Sequence, residues 1–578
     1  MPSTSSKPLY PLAGLAPLID SIRAAAGTPG VSIGVIHNHS ILHESYHGYR
    51  DVENHLEVNR DTIFYVASLT KAITATAIGI LVDDGLLEWT TPVHDILPEM
   101  SRFTELYSAK LTVLDILSHR TGKAWADALY LQSNNRILLT KEHAIPVFDY
   151  LAQIKPARST YMYNNHAYNI TGLVIEKVTG QTWSNFINQR LFKPLGMTRS
   201  FTYQPDDSNV AVPYNVLTSG EPWRLPFCNA SNDTLMFAGQ SVRTSMVDLM
   251  QYSKAYLQAL CTITPTLESS DSSQEQNIIG KQAWPLSWPS PYLWRTESPE
   301  HNILLSLSEP LKPSNPIREI STIVRPHIAR LAETILEQTY ALGWNRTQLP
   351  GCLDFGGNKE MLESFPKLGQ RYPGKLVIWH GGNMPGTTSA ICLLLETGTA
   401  IIVLQNSLGL CDVADWICQL IIDTIFLGEP AQDYVSLAMQ CVQKGTRRID
   451  VVEQKLLQEQ IQGTTPRSLE LYLGRYFNRI QNWFIDIKVD MEKKALYLEF
   501  LGLADERYYL KHYHYDTFNW NLTYDELIKR GQYIRDYEYY KLAFEMDETG
   551  EICSLRWKHD KSVPEGELFC KSWNGKKC

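Results

Sequence analysis

The chain reads as an α/β sandwich, an antiparallel sheet with helices on its faces and a helical subdomain, followed by a small antiparallel β-barrel. Three observations predict this. Apolar runs of strand length stand near the start (Gly30 to Ile36) and late in the chain (Leu376 to Trp379, Thr388 to Leu395, Ala400 to Gln405). Segments of helical period lie between them, as expected for a sheet closed by early and late strands with helices packed on it. Beyond Gly463-Thr464-Thr465-Pro466 the apolar period changes to two.

In order, Gly30 to Ile36 and Ser40 to Tyr46 form an opening β-hairpin around a His-Asn-His turn. From Ser68 to Leu81 small and branched apolar residues continue to Asp83-Asp84-Gly85, a helix C-terminus. The helix is expected to be buried on most sides. Further helices are expected at Leu111 to Leu117, Tyr168 to Val178 and Met246 to Leu260. Residues 262–316 turn rich in Ser, Pro, Glu and Trp, poor material for regular structure and a candidate lid over a site. A charged helical stretch, Val451 to Gln462, leads into the boundary. After it Ile485, Ile487 and Val489, then Leu496, Leu498 and Phe500, alternate with polar residues as barrel strands do. The expected organisation is a catalytic unit at 1–445, a linker at 446–466 and a barrel at 467–578.

Composition narrows the function. With 578 residues, 44% apolar and 20% charged, the chain has material for a deep core and a second domain. A net charge of −9 offers no basic face for nucleic acid. No apolar run approaches the ~20 residues a membrane span needs, and Met1 to Pro17 lack the pattern of a secretion signal. Ten cysteines without a C-x-x-C pair fit reduced thiols, so a cytoplasmic location is expected. His512 and His514 share a strand face without further ligands at metal spacing, and no nucleotide-binding glycine loop is present. Neither a metal nor a cofactor is expected.

Chemistry concentrates in three places. Ser68-Leu69-Thr70-Lys71 opens the buried helix, and the i, i+3 spacing puts hydroxyl and ammonium on one face. A serine needs a base to become a nucleophile, and a desolvated lysine has its pKa lowered toward that task. Chance alone supplies on the order of one or two Ser-x-x-Lys matches in a chain this long. Its position after the strand-like Phe64-Tyr65-Val66 sets this one apart. Tyr163-Asn164-Asn165 offers a phenol and an amide from a helix-entry loop. His380-Gly381-Gly382-Asn383 ends a strand, where paired glycines let backbone N–H groups approach a ligand as oxyanion donors.

These three elements, in this order, resemble the serine β-lactamase and penicillin-binding-protein superfamily, in particular its class C β-lactamase-like esterase branch. Pro29-Gly30-Val31-Ser32, Thr112 to Gly122, Leu195-Gly196-Met197, Ala238-Gly239 with Asp248, and Tyr340 to Trp344 extend the resemblance over about Pro29 to Leu427. Leu469-Glu470 through Gly474-Arg475-Tyr476 is similar to the lipocalin-like barrel appended to many such proteins. The resemblance implies Ser68 as the acylated nucleophile, Lys71 as its base, Tyr163 as the proton shuttle and Asn165 as the amide orienting Lys71 and substrate. It makes His380, Gly381, Gly382 and Asn383 the substrate and oxyanion strand. His380 stands where antibiotic-hydrolysing and cell-wall members carry Lys, which moves the expected substrate away from β-lactams and peptidoglycan. The expected activity is a serine hydrolase acting on a small-molecule ester, thioester or amide, carrier-bound and CoA thioesters included. The rivals are an acyltransferase sharing the same serine and a non-catalytic ligand-binding scaffold.

Overall fold

The computed structural model describes residues 12–102, 110–262, 315–331 and 334–571. The candidate lid at 262–316 falls outside them apart from its ends.

The β-lactamase-like α/β fold is built on a nine-stranded sheet. Its strands are β1 (Gly30–His37), β2 (Ser40–Asp51), β3 (Leu56–Glu57), β4 (Ile328–Ala329), β5 (Gln338–Tyr340), β6 (Asn345–Gln348), β7 (Leu376–Met384), β8 (Thr387–Leu394) and β9 (Thr399–Gln405), in the spatial order β3-β2-β1-β9-β8-β7-β6-β5-β4. β1 joins the N-terminal hairpin to the late strands by pairing antiparallel with β9, Val31 opposite Gln405. All of β8 and β9 is buried. That burial on both faces explains their unbroken apolar runs, because helices cover each side.

On one side lie α1 (Ala16–Ala25), α5 (Val413–Leu427) and α6 (Tyr434–Gly445), and on the other α4 (Met246–Cys261). The hairpin therefore does not open the fold: α1 precedes it. Beyond α4, a helical layer holds α2 (Thr70–Asp83) against α3 (Asn165–Thr179). Every α2 side chain from Thr70 to Leu81 is buried, so this helix carries its lysine inside the protein. The helices expected at 111–117, 168–178 and 246–260 are Val113–Leu117, Asn165–Thr179 and Met246–Cys261.

Residues 446–466 carry a helix of their own, α7 (Arg448–Glu459). A second nine-stranded antiparallel sheet follows: β10 (Gly474–Phe477), β11 (Phe484–Asp490), β12 (Ala495–Phe500), β13 (Arg507–Tyr509), β14 (Lys511–His514), β15 (Thr517–Asn519), β16 (Lys541–Met546), β17 (Ile552–Trp557) and β18 (Glu567–Cys570). Its order, β13-β12-β11-β10-β18-β17-β16-β15-β14, puts the consecutive strands β13 and β14 at its two edges, not paired with each other, so the sheet curls into a nearly closed barrel. Aromatic rings fill it: Phe500 stacks on Trp557 at 4.9 Å, and Trp520 meets Tyr539 edge-on at 5.8 Å. Among the described residues no helix is long and apolar enough to cross a membrane, and no group of His, Cys, Asp or Glu is arranged to hold a metal ion.

Candidate active site

Ser68 owes its position to a turn. The short strand Ile63–Tyr65 pairs with Arg243–Ser245, the chain then folds back at Ala67 with a left-handed φ of 45°, and one turn of 3-10 helix, Ala67–Leu69, feeds α2. A non-glycine residue in that region is strained by roughly 1–3 kcal/mol and persists where the surroundings hold it, commonly at functional sites. Ser68 is thus presented at the mouth of a buried helix, 8% exposed, and Lys71 follows one turn on with no exposure at all.

The Lys71 ammonium donates to three oxygens: Asn165 Oδ1 at 2.8 Å, Ser68 Oγ at 3.0 Å and the Gly239 carbonyl at 3.2 Å. Two of these are obligate acceptors. The third, a hydroxyl, can reverse its role. Once Lys71 loses a proton, its two remaining N–H groups satisfy Asn165 and Gly239, and its lone pair faces Ser68. Burial favours that loss. It lowers the Lys71 pKa to about 7, opposed by the nearby Asp127 carboxylate.

Tyr163, on the loop before α3, donates to Ser68 Oγ at 3.0 Å, and Lys71 Nζ lies 4.9 Å from its ring centroid. Burial holds its phenol well above 10. Asn164 caps α3 by accepting from Ala167 N at 2.9 Å and donates its amide to the Ala124 carbonyl, which aims Asn165 at Lys71. The Asn165 amide nitrogen donates to Asp127 Oδ2 at 2.8 Å, fixing which end of the amide faces the lysine.

His380-Gly381-Gly382-Asn383 lies inside β7 rather than at its end, since pairing with β8 continues to Met384. The glycines serve close approach. A Cβ on Gly382 would stand 2.2 Å from the Val66 carbonyl, and one on Gly381 would stand 1.8 Å from that of Phe355. β7 can therefore lie against the Ser68 turn. His380 donates through Nδ1 to the Gly381 carbonyl at 2.6 Å, leaving Nε2 to accept from Tyr340 at 3.2 Å. Burial, then Lys71, push its pKa to about 3, so it is a neutral imidazole and brings no positive charge to the site.

Sequence reasoning missed Asp127, His119 and the whole opposite wall. His119 is buried beneath the Tyr163 ring at 4.3 Å, accepts from Asn164 N at 3.1 Å and is held neutral by burial. Asp127 follows Ala126, another left-handed residue with φ 48°. The backbone N–H groups of Trp125 and Ala126 both donate at 2.8 Å to Asp560 Oδ2, a carboxylate of the barrel. Tyr533, just before the barrel strand β16, donates to Asn383 Oδ1 at 3.0 Å. Together these elements enclose a cavity of about 1290 Å³ reached by Ser68, Tyr163, Asn165 and His380 on one side and by Tyr533 and Arg535 on the other. No local pattern signals these partners: Asp560 lies more than 400 residues from the loop it holds, and Tyr533 lies 150 residues from Asn383.

Comparison with known proteins agrees with this architecture. Residues 15–299 match the family model described as Beta-lactamase, and residues 459–573 match a domain of unknown function, DUF3471. The unguisins hydrolase ungD of Aspergillus violaceofuscus (strain CBS 115571) is 32% identical over 178 residues, 30% of this chain and 31% of that protein. The unguisins hydrolase ungD' of Aspergillus campestris (strain IBT 28561) is 22% identical over 388 residues, 66% of this chain and 58% of that protein. The chain thus spans less than two thirds of the length of either relative. The octameric penicillin-binding protein homologue from Pyrococcus abyssi shares the fold, with a TM-score of 0.52 and 19% identity over 96% of this chain and 99% of that one. Family model, relatives and fold together support the β-lactamase and penicillin-binding-protein superfamily.

Proposed function

We propose that the chain is a serine hydrolase of the β-lactamase type in which Ser68 is transiently acylated. The observation that carries the reading is the convergence of Lys71 Nζ and Tyr163 OH on Ser68 Oγ, each at 3.0 Å, with the lysine pKa brought to about 7 by burial. Neutral Lys71 takes the Ser68 proton, Oγ bonds to the substrate carbonyl carbon, and the tetrahedral oxyanion is held by the backbone N–H groups of Ser68 and Asn383. The bond to the alcohol, thiol or amine leaving group then breaks, and that group departs with the proton relayed by Tyr163. Water repeats the sequence in reverse sense, releasing the acid and restoring the Ser68 hydroxyl.

The substrate is a small-molecule ester, thioester or amide. The neutral His380 supports the placement of the chain away from β-lactam and peptidoglycan substrates, and the names of its fungal relatives favour hydrolysis over transfer. Intact-mass spectrometry after exposure to a fluorophosphonate tests the nucleophile. One adduct is expected on the wild type and none on Ser68→Ala; equal labelling of both would remove Ser68 from the mechanism. If acyl thioesters incubated with alcohols yielded ester instead of free acid, the enzyme would be reassigned as an acyltransferase.

A further inference from the structure

The cavity that holds Ser68 is lined by several cations, most of them already committed. Arg448 pairs with Glu360 at 2.9 Å and Lys558 with Glu538 at 3.4 Å, and Lys455 and Lys561 are exposed, while Lys71 lies behind Ser68, outside the lining, and is spent on Ser68 and Asn165. Two arginines differ in making no ion pair among the described residues: Arg330, on the His380 side, and Arg535, half-buried on the barrel segment that also carries Tyr533.

Aromatic rings hold Arg535. Its guanidinium carbon lies 5.3 Å from the Trp125 ring, 5.5 Å from Tyr533 and 5.9 Å from Tyr539, so it bridges the seam between the Asp127 loop and the barrel. Stacking fixes the plane of a guanidinium while leaving its N–H edge free to fork onto a carboxylate. The carboxylates around it are engaged. Asp127 binds Asn165 and is lifted by burial to about 7, which weakens it as a counter-charge near neutral pH. Asp560 accepts from Trp125, Ala126 and Ser562. The Arg535 charge nevertheless acts on Asp127, two hydrogen bonds from Lys71 through Asn165. The cation therefore stands within the electrostatic reach of the nucleophile's own network.

We propose that Arg535 is the anchor of a carboxylate subsite, so that this enzyme selects acyl substrates bearing a free carboxylate away from the scissile bond. This rests on the Ser68 acyl-enzyme reading above. The rival cation is Arg330, which lines the same cavity 5.2 Å from the Trp379 ring and 5.7 Å from Tyr161, on the His380 side.

The test compares 4-nitrophenyl monoesters of glutarate, adipate and pimelate with neutral 4-nitrophenyl esters of equal chain length, as a ratio of kcat/KM within each protein, so that any general loss of activity cancels. A charge-assisted bidentate contact predicts a preference of roughly tenfold or more for one carboxylate length in the wild type. In Arg535→Gln the ratio falls to about one, in Arg535→Lys it is intermediate, and in Arg330→Gln it is kept. A flat ratio in the wild type at every length, an unchanged ratio in Arg535→Gln, or loss in Arg330→Gln instead would each overturn the assignment. Fluorophosphonate labelling of Ser68 separates the two readings: an adduct with a flat ratio sinks the subsite alone, whereas no adduct sinks the acyl-enzyme. In that second case calorimetry on Ser68→Ala still decides, through binding of monomethyl adipate that methyl hexanoate does not match and that Ser68→Ala/Arg535→Gln abolishes; no binding to Ser68→Ala rejects the subsite.

Discussion

The two walls of the Ser68 cavity are made differently. One is assembled from side chains on regular elements, with Ser68 and Lys71 at the head of α2, Asn165 in the first turn of α3 and His380 to Asn383 inside β7. Spacing along a helix or strand determines where those groups point. The other wall comes from the barrel, where Tyr533, Arg535 and Asp560 lie on segments between strands, Tyr533 reaching Asn383 by one hydrogen bond, Asp560 the Asp127 loop by two, and Arg535 that loop by a ring contact. On the proposed mechanism the first wall supplies reactive groups and the second supplies orientation and charge. A protein built this way can alter what it accepts without touching how it reacts.

Substitutions can break or sharpen that contrast. The largest effect is expected from Ser68→Ala, which should lower kcat/KM by about 10³-fold or more, as loss of a nucleophile does; ester hydrolysis by the purified variant checks it. Tyr163→Phe, which removes the phenol proton but keeps the ring packed on His119, should cost about 10²-fold, mostly in kcat. Asp560→Ala crosses the divide. It removes the acceptor from Trp125 N and Ala126 N, so the Asp127 loop loosens, and kcat should fall by about tenfold, within the range that misplacement remote from the chemistry produces. The rate's pH inflection should move as well, an outcome that a purely structural role for Asp560 would not give.

The smallest effect concerns pH alone. With Lys71 as the proposed base, kcat/KM should rise with pH through about 7. The Asp127 carboxylate raises the Lys71 pKa, and Asp127→Asn should therefore carry the inflection to lower pH while leaving an oxygen for the Asn165 amide. A pH–rate profile that stayed in place, or moved upward, would separate Asp127 from the titration of Lys71.

The contrast also explains what was legible in the sequence. Ser68 and Lys71 open a stretch whose helical periodicity is readable, Tyr163 and Asn165 stand where the chain enters the next such stretch, and their convergence follows from α2 packing on α3. The glycines of β7 were visible, but were read as the end of a strand. Their neighbours in space, Val66 and Phe355, are the reason that glycine occurs in mid-strand, and such a contact leaves no periodic trace. Helix α1 does carry an amphipathic pattern, with Ile19 and Ile22 buried one turn apart, but it is short and opens on Ala16-Pro17, and its packing partners α5 and α6 lie about 400 residues further on. Asp127, Arg535 and Asp560 are ordinary polar residues of irregular segments, and only tertiary pairing distinguishes them from solvated loop charges.

One apolar cluster runs without interruption from Ile36 and Ala72 of the catalytic sheet and helix to Tyr476, Phe500 and Trp557 of the barrel. The barrel is therefore not a lid that swings on a tether. Withdrawing it would expose oily surface that both halves bury in common, at about 25 cal/mol for each Å² uncovered. The breadth of the catalytic cleft is thus settled when the protein folds, before any substrate arrives, and melting should proceed as one cooperative event in which structure and substrate choice are lost together.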